Sequence, residues 1–115
     1  MKKAIQLLLV FCVLRTACAS AEEMIVRFPD VGKADCILLQ TEKAAVLIDT
    51  GLNKNGGDIV KMLKKCGVQA LDALIITHFD KDHVGGADAV LESVPVAMVL
   101  EPAYEKESKQ RSQYQ

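Results

Sequence analysis

The chain has 115 residues, half of them hydrophobic and a quarter charged, with no Trp and a formal net charge of −1. That is enough for one small domain, and it excludes a disordered chain and a broad basic surface for nucleic acid. With only 4% aromatic residues, the core has to be aliphatic.

Met1-Lys2-Lys3 is a short basic start, and Ala4 to Leu14 is an apolar run broken only by Gln6. Ala17-Cys18-Ala19-Ser20-Ala21 follows as a stretch of small residues. This is the layout of a secretory signal peptide. Cleavage is expected after Ala19 or, preferably, after Ala21, because Glu22-Glu23 then opens the mature chain. Lipidation at Cys18 is the alternative, disfavoured by Arg15 where such signals carry an aliphatic residue. The apolar run is short for a bilayer anchor. The expected organisation is therefore a signal over 1–21 and an extracytoplasmic domain over 22–115, with no transmembrane anchor after cleavage. Without its signal the chain keeps 11 basic and 15 acidic side chains, a net charge of −4. That disfavours stable binding of nucleic acid by charge and suits a site for cations.

Met24 to Pro29 alternates as a strand that ends at a proline, and Asp30 to Ala34 is a turn. Cys36 to Thr41 and Ala44 to Ile48 are two further apolar strands joined by Glu42-Lys43, so an antiparallel meander is expected. Leu52 to Gly57 reads as a polar loop. Asp58 to Cys66 reads as a helix: Asp58 is its N-cap, Ile59, Met62, Leu63 and Cys66 share one face, and Gly67 is its C-cap. Asp72 to Thr77 is a continuous apolar strand of the kind buried on both faces. Gly85-Gly86 opens a second helix over Ala87 to Glu92, Pro95 to Leu100 is a last strand, and Glu105 to Gln115 is a charged and polar tail, read as a solvated helix or a frayed end. The order β-β-β-α-β-α-β is an α/β layered arrangement. Cys36 and Cys66 read as two small buried hydrophobes rather than as a disulfide.

The chemistry is concentrated in His78-Phe79-Asp80-Lys81-Asp82-His83. His78, Asp80, Asp82 and His83 are ligand types for Zn²⁺, Mn²⁺ or Fe, and they follow a strand end, where ligands gather in α/β sheets. Alternation predicts His78, Asp80 and Asp82 on one side, with His83 brought round by the turn into the helix. Gly85-Gly86 is expected to let the backbone pass close to the metals. Four fixed positions of this kind recur by chance on the order of once per 10⁵ sites. The bland alternative is a polar turn in which Asp82 caps the helix, but such a turn needs neither histidine, and these two are the only ones in the chain. Asp49 either caps its own turn with Thr50-Gly51 or holds a ligand histidine from behind. The same choice applies to Asp35, for which a structural role is favoured.

Thr77 to Gly86 resembles the H-x-H-x-D-H signature of the metallo-β-lactamase superfamily, with Asp80 in place of the middle histidine. That H-x-D-x-D-H variant is similar to the extracytoplasmic domain of ComEC-type competence proteins and related stand-alone hydrolases. Phe28 to Cys36 resembles their F-x-D-V-G-x-G-D-A turn, with Ala34 at a usual glycine, and Leu47 to Gly51 resembles their L-I-D-T-G turn. The resemblance implies an αβ/βα sandwich, of which these residues correspond to the N-terminal half. It also implies two-metal hydrolysis of a phosphodiester or nucleotide substrate, with two divalent ions, Zn²⁺ or Mn²⁺. His78 and Asp80 would serve one ion, Asp82 and His83 the other, and Asp82 would also orient the water. The harder Asp80 carboxylate favours Mn²⁺ relative to an imidazole. In that family the later ligands come from a second half with further histidines. Two other readings therefore stand beside the hydrolase: a truncated, inactive remnant that holds metal weakly, and a binding module.

Overall fold

A computed structural model describes residues 22–104 and 109–114. The expected signal over 1–21, including Cys18, and the tail residues 105–108 and 115 lie outside the described residues. Five strands form one sheet in the order β1-β2-β3-β4-β5. They are β1 (Ile25–Arg27), β2 (Ile37–Gln40), β3 (Ala45–Ile48), β4 (Ala73–Ile75) and β5 (Val99–Leu100). The first three make the expected antiparallel meander, with Val26 opposite Leu39 and Leu38 opposite Leu47. β3, β4 and β5 are parallel neighbours, with Leu47 beside Leu74 and Ile75 beside Leu100. The connections between those three carry the helices, since parallel strands need a crossover.

α1 spans Gly56–Lys65, preceded by a 3₁₀ turn at Asn53–Asn55. It starts two residues before the expected Asp58, whose carboxylate takes Lys61 at 3.0 Å in solvent instead of capping. Its C-terminus closes as a Schellman motif: Val68 N–H reaches Leu63 C=O and Gly67 N–H reaches Lys64 C=O, both at 3.0 Å, with Gly67 at φ +74. A short helix that was not expected, α2 (Lys81–Val84), precedes the second expected helix, which forms as α3 (Ala87–Ser93). A short helix α4 (Lys109–Tyr114) lies in the tail. The last strand is shorter than Pro95 to Leu100, although a parallel bridge from Leu71 to Val96 extends its pairing.

Sheet alternation then sorts the side chains. Leu38, Leu47, Leu74 and Ile76 point to the helices and are at most 2% exposed, packed in one cluster with Ile59, Leu63, Val84 and Val90. Fully burying an aliphatic side chain of this size contributes about 1.5–3 kcal/mol each, so this layer carries the fold. Ile37, Leu39, Val46, Ile48 and Ile75 point the other way and are half-buried, outside that cluster. Cys36 is buried and Cys66 half-buried, and both thiols are free. No helix among the described residues is long and apolar enough to cross a membrane.

Candidate metal centre at the strand ends

Three loops meet at one end of the sheet: the turn entering β2, the loop leaving β3 and the loop leaving β4. Backbone hydrogen bonds tie them together. Asp35 N–H donates to Asp82 C=O at 3.0 Å, Gly51 N–H to Asp35 C=O at 2.8 Å, Thr50 N–H to His83 C=O at 2.7 Å, and Gly85 N–H to Gly51 C=O at 2.9 Å. Gly85 and Gly86 are the hinge of this junction. A Cβ on Gly85 would sit 2.3 Å from Lys81 C=O and 2.4 Å from Asn53 N, and one on Gly86 2.5 Å from Thr50 C=O. What passes so close to these glycines is the neighbouring loop.

Asp49 is the buried pivot. It is 3% exposed and adopts φ +57, a left-handed conformation that Asp tolerates better than most residues. Its Oδ1 accepts from Thr77 N–H at 2.8 Å. Its Oδ2 accepts from Thr77 Oγ1–H at 2.6 Å and from His83 Nδ1 at 2.9 Å. An ionised carboxylate only accepts, so the proton between Asp49 and His83 belongs to Nδ1, and in the neutral imidazole, the form that binds metal, His83 Nε2 carries the lone pair. The same logic passes through Thr77. Its hydroxyl is committed to Asp49, so at 3.0 Å it accepts from His78 Nδ1, and His78 Nε2 is left with a lone pair as well. One buried carboxylate therefore sets the tautomer of both histidines. Thr77 was not singled out among the expected site residues. The signal was a hydroxyl residue immediately before the first histidine.

Both Nε2 atoms face carboxylates. His78 Nε2 lies 3.6 Å from Asp80 Oδ2, and His83 Nε2 lies 3.4 Å from Asp35 Oδ2 and 3.7 Å from Asp82 Oδ2. The two rings are 3.7 Å apart between centroids. The expected alternation brings His78 and Asp80 together but does not extend to Asp82. Asp80, extended at ψ 145, is the N-cap residue of α2, and its C=O accepts from His83 and Val84 N–H at 2.9 and 3.0 Å. The chain has therefore turned helical by Asp82, which puts Asp82 beside His83. Nor does Asp82 cap the helix, since it lies in the first turn.

The donor set can be compared with what a divalent ion requires. Adjacent ligand atoms on a tetrahedral ion with bonds of about 2.0–2.1 Å stand about 3.3–3.4 Å apart. The 3.4–3.7 Å gaps between imidazole nitrogen and carboxylate oxygen are close to that spacing. Neutral imidazoles fixed through Nδ1 and paired with carboxylates are also the right chemistry. Among the described residues, however, no three His, Cys, Asp or Glu side chains are grouped to hold one ion. The residues fit a metal in kind and orientation, in pairs rather than as a complete shell.

Next to Asp35, the Cys36 thiol turns inward. Burial pushes its pKa up from 9.0 to about 12, with the Asp49 charge adding to the effect, so it is neutral and no nucleophile at ordinary pH.

Comparison with known proteins agrees with this arrangement. Over 79 residues the chain is 33% identical to Recombination protein 2 of Haemophilus influenzae, covering 64% of this chain and 10% of that protein. Over 88 residues it is 35% identical to Competence protein ComA of Neisseria gonorrhoeae, covering 76% of this chain and 13% of that one. The chain thus spans about a tenth of the length of these relatives. Among solved structures, a metallo-β-lactamase with a HARLDQ motif from Cronobacter sakazakii superposes with a TM-score of 0.50 at 27% identity, covering 62% of this chain and 29% of that one. The fold here is accordingly part of the metallo-β-lactamase α/β architecture, and the whole of it is larger. The family described as the Metallo-beta-lactamase superfamily matches residues 29–115, and the chain belongs to that superfamily.

Proposed function

We propose that this chain carries one half of the active site of a metal-dependent hydrolase directed at phosphodiesters. The observation that supports it is the shared tautomer control described above: Asp49 and Thr77 hold both imidazoles by Nδ1 and turn both Nε2 atoms toward carboxylates. Acceptors turned toward one another in each pair are stabilised by a cation between them. His78 with Asp80, and His83 with Asp82, are the residues that would hold divalent ions. When bound, such ions supply Lewis-acid polarisation of a phosphoryl oxygen and an activated water. The protein's own part is to fix the imidazoles and exclude alternative protonation. The phosphodiester class is supported by the likeness to competence and recombination proteins.

The pairing of donors in twos favours a second reading, in which the 115 residues hold metal and turn nothing over. One experiment separates them. The purified chain is assayed for hydrolysis of bis(p-nitrophenyl) phosphate with Mn²⁺ or Zn²⁺, beside His83→Ala, while metal binding is followed by calorimetry. Turnover lost in the variant supports the hydrolase. Metal binding that depends on His83, with equal background rates, supports the inert remnant. Absence of binding by the unaltered chain removes both.

We also propose export of the chain on residues 1–21. The mass of the mature protein recovered from outside the cytoplasm should correspond to a start at Glu22, and retention of Met1 would refute cleavage.

A further inference from the structure

Asp35 is set apart, by what its carboxylate touches, from the aspartates that hold backbone amides. Asp30 Oδ1 accepts from Gly32 N–H at 3.1 Å, Asp72 Oδ2 from Ala45 N–H at 2.8 Å, and Asp49 Oδ1 from Thr77 N–H. Those are aspartates that fasten backbone. The Asp35 side chain fastens none among the described residues. Its partner there is His83 Nε2, at 3.4 Å, closer than Asp82 at 3.7 Å. Its backbone is nevertheless held on both sides, by the bonds to Asp82 C=O and from Gly51 N–H, so the carboxylate is delivered to a fixed place by the turn entering β2. With Cys36 buried inward, Asp35 necessarily faces the open side, and its side chain is 66% exposed. With the Nδ1 proton of His83 directed at Asp49, the nitrogen facing Asp35 is a lone pair in the neutral imidazole that a metal requires. A carboxylate held 3.4 Å from a lone pair, with no donor of its own, is placed to share a cation.

We propose that Asp35 is a metal ligand of this site, the carboxylate that shares a divalent ion with His83. The structural role favoured from sequence is thereby replaced. The proposal rests on the metal-site reading above, and the following measurement keeps the two apart. Mn²⁺ binding to the full chain is titrated calorimetrically for the unaltered protein, Asp35→Asn, His83→Ala, and Asp58→Asn as a charge control on the exposed face of α1. Asp35→Asn is expected to weaken binding about tenfold or more, with an unchanged circular dichroism spectrum and melting temperature. Asp58→Asn is expected to stay within about twofold of the unaltered chain, since an exposed remote charge is screened. If His83→Ala weakens binding and Asp35→Asn does not, the Asp35 assignment is overturned and the site reading stands. If the unaltered chain binds no Mn²⁺, both are overturned. An equal loss in Asp35→Asn and Asp58→Asn would reduce the effect to net charge and would also overturn the assignment.

Discussion

Replacing Asp49 with Asn tests the tautomer logic most directly. Asn tolerates the φ +57 backbone, so the substitution changes chemistry rather than conformation. Thr77 N–H is a fixed donor, so the amide oxygen of Asn is held opposite it and the amide NH₂ takes the place of Oδ2. The Thr77 hydroxyl can rotate to accept from that NH₂. His83 can keep a hydrogen bond only by presenting a lone pair at Nδ1, which moves its proton to Nε2. The charge-assisted bonds lost are worth about 1.5–3 kcal/mol, and the neutral bonds that replace them return about 0.5–1.5 kcal/mol. A net cost of about 1–2 kcal/mol follows. For a domain of this size that lowers Tm by roughly 5–15 °C. Protonated Nε2 no longer binds a metal, so Mn²⁺ affinity should fall about 10- to 100-fold, the usual cost of losing such a partner. With only two histidines in the chain, ¹⁵N spectra of the imidazole nitrogens assign the tautomers directly. A variant that keeps the proton of His83 on Nδ1 and binds Mn²⁺ like the parent would refute the reasoning.

Three other substitutions probe separate links. Gly85→Ala drives a Cβ against two backbone segments at 2.3 and 2.4 Å, and overpacking against backbone should cost about 3 kcal/mol or more. Gly57→Ala, in the same connection but with open space around the Cβ, should instead stabilise by about 0.5–1 kcal/mol; urea denaturation of both measures the contrast, and equal midpoints would contradict it. Thr77→Val removes the hydroxyl that links Asp49 to His78 and should lower Mn²⁺ affinity about tenfold, with Thr77→Ser restoring it; a Val variant with parental affinity would count against the relay. Cys36 contributes to the alkaline limb of stability. Its thiol ionises near pH 9 when unfolded and near 12 when folded. Its contribution is therefore complete below pH 9 and is lost toward 12, at up to about 1.4 kcal/mol per pH unit. Denaturation midpoints of Cys36→Ala should decline less steeply than the parent's above pH 9, and parallel slopes would exclude this origin.

The parts of this fold set by local pattern were legible from sequence. The alternation in Met24 to Ile48 specified a meander, the i, i+3, i+4, i+7 spacing specified the helix from Ile59 to Cys66, and Gly67 marked its end. What escaped was set by tertiary contact. Asp58 looked like an N-cap, but the preceding Gly56-Gly57 joins the helix because α1 packs against α3, where a Cβ on Gly56 would lie 2.7 Å from Ala89. The residues of the metal cluster were visible as types, and their pairing was not. Strand alternation was extended through Asp82, whereas helical φ and ψ begin right after Asp80 and exchange its neighbours. Asp35 was harder still: nothing within its turn reveals that the residue meets His83, 48 positions later, because that contact exists only once β2 and β3 pair and β4 joins them.

The two ends of the sheet divide the work. One end holds every group discussed for chemistry, fastened by crossed loop-to-loop bonds that leave no room even for a methyl at Gly85. The other is closed by small local devices: Thr41 Oγ1 caps the N–H groups of Lys43 and Ala44, and Asp72 Oδ2 holds Ala45 N–H. Those keep strand register without touching the histidines. Change in this molecule is therefore asymmetric. A surface loop grafted at Glu42-Lys43 costs closure entropy that grows only with the logarithm of its length, whereas a single carbon added at Gly85 forces apart the loops that leave β3 and β4, which carry Asp49 and the histidines. A lineage built on this half-domain has freedom to vary at one pole of the sheet and almost none at the other.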